Sequence, residues 1–298
     1  MAVSGKSMTE IDCVTRRFSR CAADSLGSFD DQSGRNIPQE IFRCRICGHG
    51  VTMPPLSDLG SLYEGRNSQD FQPNTRGLSR YIKEMAFRIQ ARRLLRQLIE
   101  TPRTMLDYGC GSGQLTRVVG DLLPTSAVTG ADFFDTPPPE LAHEHYMSFA
   151  QLEESNAVFD AVLALHVLEH DNTPGILLQR LMRFVRPGGE LIIEVPNIDC
   201  PWGRILGKHW DVWYVPFHRH HFSRASLQAL IESEGLLMDS IVGVAVPSMG
   251  RSIANLFRLP KNIVFLLVGI GLHPIQIMGE TVSGQPTALR ATVRRPVS

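Results

Sequence analysis

Apolar residues follow two regimes along the 298-residue chain. Up to about residue 78 they are scattered among Ser, Gly, Asp, Asn, Arg and Pro without a sustained helical or strand period, broken only by short pieces such as Glu40-Ile41-Phe42. Residues 1–78 are therefore predicted to be a small or partly disordered N-terminal appendage. From Tyr81 the pattern changes. Ile82, Met85, Ala86 and Ile89, then Leu94, Leu95, Leu98 and Ile99, recur at helical spacing among good helix formers, which predicts a long amphipathic helix opening the main domain, residues 79–298.

Short apolar runs then alternate with helices. The predicted strands are residues 104–107, 127–131, 159–165, 190–195, 238–246 and 288–293. A helix over 176–185 places Leu177, Leu178, Leu181, Met182 and Val185 on one face and ends at Pro187-Gly188-Gly189, while Ser223 caps another that stops near Gly235. This alternation predicts an α/β fold, a doubly wound and mainly parallel sheet with helices on both faces. An insertion, residues 247–286, separates the last two strands and holds the most apolar run, residues 263–272. Ten residues fall short of the roughly 20 that a spanning helix needs. No transmembrane segment is predicted; the run reads as a buried helix, with peripheral membrane contact as the other reading.

Charge and cysteine usage narrow the partners. Lys plus Arg equals Asp plus Glu at 30 each, so no global field draws the chain to nucleic acid, and a small molecule is the expected partner. The six cysteines, at 13, 21, 44, 47, 110 and 200, form no regular disulfide framework and suit a reducing compartment. The N-terminal residues lack the apolar run of a secretory signal. A cytoplasmic location is expected.

Three segments carry chemistry. In Asp107-Tyr108-Gly109-Cys110-Gly111-Ser112-Gly113, three glycines at alternate positions between an apolar strand and a helix let the backbone turn tightly and approach a ligand. Asp107, at the strand's carboxyl end, would repel a pyrophosphate and welcome an ammonium. Asp132 ends the next strand nineteen residues after Gly113, where a carboxylate can accept both hydroxyls of a ribose, and Phe133 and Phe134 beside it suit packing on a purine ring. The third strand runs through Phe159-Asp160-Ala161-Val162 into His166-Val167-Leu168-Glu169-His170, so its polar end faces the ligand side of the sheet.

Together with Arg186-Pro187-Gly188-Gly189, these elements in this order resemble the class I S-adenosylmethionine (SAM)-dependent methyltransferases over residues 80–298. The resemblance implies a seven-stranded, mostly parallel sheet with an antiparallel last strand. It also implies that Asp107, Gly109, Cys110 and Gly111 hold the methionyl end of SAM, Asp132 and Phe133 its nucleoside, and that His166 lies near the sulfonium. The stretch Pro216-Phe217-His218-Arg219-His220-His221-Phe222-Ser223 is similar to one in small-molecule methyltransferases, including ubiquinone-pathway and sugar or natural-product relatives. No residue of 147–154 matches the acid or amide usual near the adenine.

A hydroxyl acceptor would benefit from a base, and His170, His218, His220 and His221 are the candidates, with His220 and His170 placed first; most of so many clustered histidines are expected to hydrogen-bond backbone instead. Trp202, Trp210, Trp213, Tyr214 and Phe217 read equally as pocket wall or as core. Cys44-x-x-Cys47 is similar to one knuckle of a zinc ribbon, but Cys13 and Cys21 stand too far apart in sequence to be the second knuckle that a four-ligand zinc requires. The greasy insertion suits an apolar or lipid-linked acceptor. A nicotinamide-dependent oxidoreductase and a catalytically silent SAM-fold or zinc-ribbon binding module are the competing readings; Asp107 and the His-Val-Leu-Glu-His strand weigh against the first.

Overall fold

Backbone pairing, not apolar run length, organises the N-terminal residues. The structure, a computed structural model, describes residues 9–14, 20–33, 37–56, 77–259 and 263–297. Where the sequence has no sustained period, β1 (Thr9–Asp12), β2 (Arg20–Phe29), β3 (Gln39–Cys44) and β4 (Gly50–Met53) pair antiparallel in chain order. The strands escape notice because they are short and Ser-, Asp- and Arg-rich, and because cysteines fill their core: Cys13, Cys21, Cys44 and Cys47 pack with Ile11, Ala23 and Phe42.

The rest of the chain runs α1 (Gly77–Leu95), β5 (Thr104–Tyr108), α2 (Gln114–Leu122), β6 (Ala127–Asp132), β7 (Tyr146–Ser148), α3 (Phe149–Ser155), β8 (Phe159–Leu165), α4 (Pro174–Phe184), β9 (Val185–Pro196), α5 (Pro201–Leu206), β10 (His220–His221), α6 (Arg224–Ser233), β11 (Leu237–Val244), α7 (Met249–Leu256), α8 (Ile263–Ser283) and β12 (Ala288–Arg294). Seven strands form one sheet in the order β11-β12-β9-β8-β5-β6-β7, mostly parallel with antiparallel C-terminal strands, as expected. The seventh strand, β7, has three residues and left no run to read. The Pro187-Gly188-Gly189 segment, expected as a turn, lies within β9, with Gly188 at φ +78°.

Two compact units are each assembled from separated stretches. The central unit comprises Tyr63–Val167, Gln179–Ile193 and Thr292–Ser298. Its core sets Ala91 and Leu94 of α1 and Val118 and Val119 of α2 against Met105, Val128, Ala161, Leu163 and Ile192 of the strands. Burying each such side chain stabilises the fold by about 1.5–3 kcal/mol. Asp160 accepts the N–H groups of Arg103 and Thr104 at 2.7 and 2.8 Å and pairs with Arg186, so these two motif residues brace the sheet.

The N-terminal unit comprises Met1–Leu62, Leu168–Leu178 and Glu194–Ala291. β10 extends the first sheet by pairing with β4, His221 opposite Gly50. Trp210 and Trp213 pack with Ile41, Ile198, Cys200 and Val215, which makes them core and not pocket wall. Ser223 caps α6 with a reciprocal capping box to Ser226, as its position predicts. The insertion forms α7 and α8, and α8 is mostly exposed, not the buried helix expected; the helix continues past Pro274 to give 21 residues.

In the same unit Arg290 pairs with Glu194 through Nε (2.8 Å) and Nη2 (2.5 Å), both side chains being almost fully buried. Removing one partner strands the other charge. Arg290→Met should therefore cost about 3–5 kcal/mol in urea unfolding, while Glu194→Leu combined with it returns most of that loss. Equal losses in the single and double variants would contradict the pairing.

Candidate functional site

At the carboxyl end of β5 the chain turns through the glycine loop, and its geometry explains the residue types. Gly109, Gly111 and Gly113 have φ of +76°, +54° and +73°, the left-handed region that glycine enters without steric penalty. A Cβ at Gly109 would lie 2.6 Å from Cγ2 of Val167, and one at Gly113 2.6 Å from Cγ of Leu141, so space forbids a side chain as well. The Gly109 and Cys110 N–H groups donate to the Ala131 carbonyl at 2.8 and 3.0 Å, which ties the loop to the end of β6.

There Asp132 accepts the N–H of Gly111 (2.7 Å) and of Phe133 (2.8 Å), while Asp107 accepts the Thr116 hydroxyl at 2.6 Å. Both carboxyls are buried, 4% and 5% exposed, and among the described residues neither is ion-paired with Lys or Arg. Burial pushes the Asp107 carboxyl up to about 6, opposed by the Thr116 hydroxyl and reinforced by the nearby Asp132. Burial raises Asp132 too, against its two N–H donors. Two such carboxylates suit a ligand carrying a positive charge and hydroxyl donors.

Phe133 leaves its ring 43% exposed and tilts against Phe134, the centroids 3.9 Å apart. β7, unread in the sequence, runs parallel to β6 and sets Ser148 opposite Asp132. His166 follows β8 with φ +57°, a left-handed conformation that a non-glycine residue adopts at a cost and that clusters at functional sites. The central unit thus brings Asp107, Gly109, Cys110, Gly111, Asp132 and Phe133 together around one loop.

The expected bases belong to the N-terminal unit, and the structure distinguishes them. His220 has Nδ1 2.9 Å from Nε2 of His49 and Nε2 3.3 Å from the Asn172 carbonyl, so both its ring nitrogens are engaged within the protein. Burial pushes its pKa down to about 4. His221, held to the Thr52 hydroxyl at 2.8 Å, is pushed down to about 3, again by burial.

His170 differs. Its Nδ1 lies 3.1 Å from the Phe217 carbonyl, which makes Nδ1–H the donor and Nε2 the basic nitrogen. Likewise His218 directs Nδ1 at the Val212 carbonyl (2.9 Å) and Nε2 toward Glu169 (3.8 Å). One ligand atom from each of Glu169, His170 and His218 falls within 4.8 Å of the others. The sequence marked this region as histidine-rich but gave no sign of which rings converge.

Strand pairing also corrects the reading of the cysteines. The hairpin of β1 and β2, with Ile11 opposite Cys21, brings Cys13 to the Cys44-x-x-Cys47 knuckle despite the distance in sequence. The Cys13 sulfur lies 3.8 Å from those of Cys44 and Cys47, and the Cys21 thiol interacts with Cys13 and Cys44. His49, the other nearby candidate ligand, is turned instead to His220.

A family profile described as a methyltransferase domain matches residues 79–241. The tRNA U34 carboxymethyltransferase of Pseudoalteromonas translucida (strain TAC 125) is 29% identical over 207 residues, 63% of this chain and 60% of the relative. The ubiquinone biosynthesis O-methyltransferase of Maricaulis maris (strain MCS10) is 27% identical over 158 residues, 47% of this chain and 61% of the relative. The chain thus spans about three fifths of the length of these relatives. The names of these two relatives thus point to different acceptors, a tRNA for one and the ubiquinone pathway for the other. The Burkholderia thailandensis 1,6-didemethyltoxoflavin-N1-methyltransferase, solved with S-adenosylhomocysteine, shares the fold with a TM-score of 0.50 at 18% identity, covering 91% of this chain and all of that one. With the profile matching over half the chain, on this sheet and this glycine loop, the protein belongs to the class I SAM-dependent methyltransferases.

Proposed function

We propose that the chain methylates a hydroxyl group of a small, apolar or lipid-linked acceptor, using SAM held by the glycine loop and its two carboxylates. The observation that carries this reading is the pair Asp107 and Asp132, buried at neighbouring strand ends without a Lys or Arg ion-pair partner among the described residues. Asp107 receives the methionyl ammonium, Asp132 the ribose hydroxyls, Phe133 the adenine face, and His166 stands beside the sulfonium. Gly109, Cys110 and Gly111 admit the ligand by presenting backbone or a small side chain. SAM supplies a methyl group already activated by a positive sulfur. What the protein adds is alignment of the acceptor oxygen and a place for its proton.

Of the two bases placed first by sequence, His170 fits better, since it clusters with Glu169 and His218, whereas burial pushes His220 down to about 4 and His49 and Asn172 engage both its ring nitrogens. The exposed apolar face of α8 favours a greasy acceptor over a nucleic acid. A tRNA acceptor is the second reading, supported by the name of the similar Pseudoalteromonas protein. Six cysteines without a disulfide among them fit the cytoplasm.

The chain also suits a structural zinc. A zinc–sulfur bond of about 2.3 Å in tetrahedral geometry sets sulfur atoms about 3.8 Å apart. Cys13 stands at that spacing from both Cys44 and Cys47, which makes three thiol ligands, and Cys21, which interacts with Cys13 and Cys44, is the candidate for the fourth.

Three outcomes follow. Protonating Asp107 removes the partner of the ammonium, so SAM affinity falls as pH drops through about 6, the value to which burial raises the carboxyl. Calorimetry should find binding roughly tenfold weaker at pH 5 than at pH 7.5. Asp107→Asn should bind weakly at both pH values, and an unchanged pH slope in that variant would assign the dependence elsewhere. In assays following label from SAM into candidate hydroxylated acceptors, His170→Ala should lower turnover about 10²–10⁴-fold with SAM affinity intact. His220→Ala should mainly lower thermal stability; the reverse ranking would make His220 the base. Purified protein should carry about one zinc per chain by elemental analysis. Cys13→Ser should lose most of it, and a metal-free, fully stable wild type would refute the site.

A further inference from the structure

α8 is amphipathic in reverse. Its buried positions are Gly269, Gln276 and Glu280, whereas Val264, Leu267, Ile270, Ile275, Ile277, Met278 and Val282 are exposed. The polar side chains have an internal task. Gln276 accepts the Ser248 N–H at 3.2 Å and donates to the Val246 carbonyl at 2.8 Å, and Glu280 accepts the Thr287 N–H at 3.1 Å. Close approach to α7 is equally committed, since a Cβ at Gly250 would lie 2.0 Å from the Phe265 carbonyl oxygen. The orientation of α8 is therefore fixed by hydrogen bonds and backbone fit, and its apolar face points outward.

That face continues beyond one helix. Leu256, Phe257 and Leu259 at the end of α7 and Ile205 in α5 are 45–67% exposed. An apolar surface of this extent marks a place where something other than water is met. Charge identifies the occupant. Between Pro247 and Pro286 the cations in the sequence are Arg251, which pairs with Asp211, and Arg258 and Lys261, while the acid is Glu280 alone, which is buried. A second copy of the chain would bring equal positive charge against these residues. Anionic lipid headgroups would neutralise it.

We infer that the α7–α8 face docks on an anionic membrane surface, with α8 lying in the headgroup–acyl boundary and the exposed Arg258 meeting the headgroups. At 21 residues α8 is long and apolar enough to cross a bilayer by length and composition. Crossing would tear Gln276 and Glu280 from their partners. Lying in the interface keeps both, so the helix sits on the membrane and does not span it. This docking is independent of the acceptor's identity, since a soluble acceptor would be served equally well.

The test is sedimentation of the full chain with extruded vesicles of phosphatidylcholine alone or with 30 mol% phosphatidylglycerol, about a third anionic, a composition chosen to mimic an anionic leaflet. The protein should pellet with the anionic vesicles, and high salt should release part of it. Arg258→Glu, a change at an exposed side chain, should weaken binding severalfold, and high salt should abolish the difference. Leu267→Asn with Met278→Asn should do at least as much while SAM affinity is retained, which separates this face from the cofactor site. A wild type that stays in the supernatant with both vesicle types overturns the inference. So does a wild-type dimer in vesicle-free buffer that these apolar substitutions convert to monomer without changing vesicle binding, because the face would then join two copies.

Discussion

Two carboxylates buried at the tips of adjacent parallel strands, with no cation among the described residues to neutralise them, are the constraint that the remaining structure serves. A buried negative charge without a partner is costly, and two near one another more so. Burial accordingly pushes the Asp107 carboxyl up to about 6. Such an arrangement persists when a ligand supplies the missing positive charge and donors. The glycine loop then has its reason: its backbone is tied to Asp132 through the Gly111 N–H, and side chains at Gly109 and Gly113 would collide with Val167 and Leu141. Asp160 and Arg186, the structural members of the same sequence pattern, hold the strands that carry these tips.

The central unit was largely legible because parallel strands covered on both faces are written as continuous apolar runs. β5, β6 and β8 were each read to within a residue or so of their bounds. β7 was not, since Tyr146, Met147 and Ser148 are too few to form a pattern. The N-terminal strands hid for another reason: their core is built from cysteines, which a hydropathy pattern does not separate from a polar background. Cys13 and Cys21 looked unrelated to Cys44 and Cys47 because a hairpin, not a short sequence spacing, brings them together. α8 was cut short in the sequence by Pro274, Gln276 and Glu280. Those interruptions are the positions, or neighbours of the positions, that face inward, so the hydropathy dip recorded the helix's buried stripe.

Histidines illustrate what residue type alone leaves undecided. Three of the candidates, His218, His220 and His221, lie within residues 218–222 and the fourth is His170, and each is equally suited to proton transfer by composition. Their roles separate only through the acceptor of each ring N–H. A carbonyl of Phe217 fixes the tautomer of His170, whereas His220 spends one nitrogen on His49 and the other on Asn172. The same unit carries the thiol cluster and the outward apolar helix, so the residues proposed for the acceptor, for metal and for the membrane share one body with its own core of Trp210, Trp213 and Ile198.

Crystals grown with S-adenosylhomocysteine probe the two-carboxylate site most directly. The ribose hydroxyls should lie about 3 Å from the Asp132 carboxylate, with the amino group at the Asp107 end of the loop and the adenine against Phe133. A nucleoside bound elsewhere, or one whose ribose turns away from Asp132, would contradict the central claim.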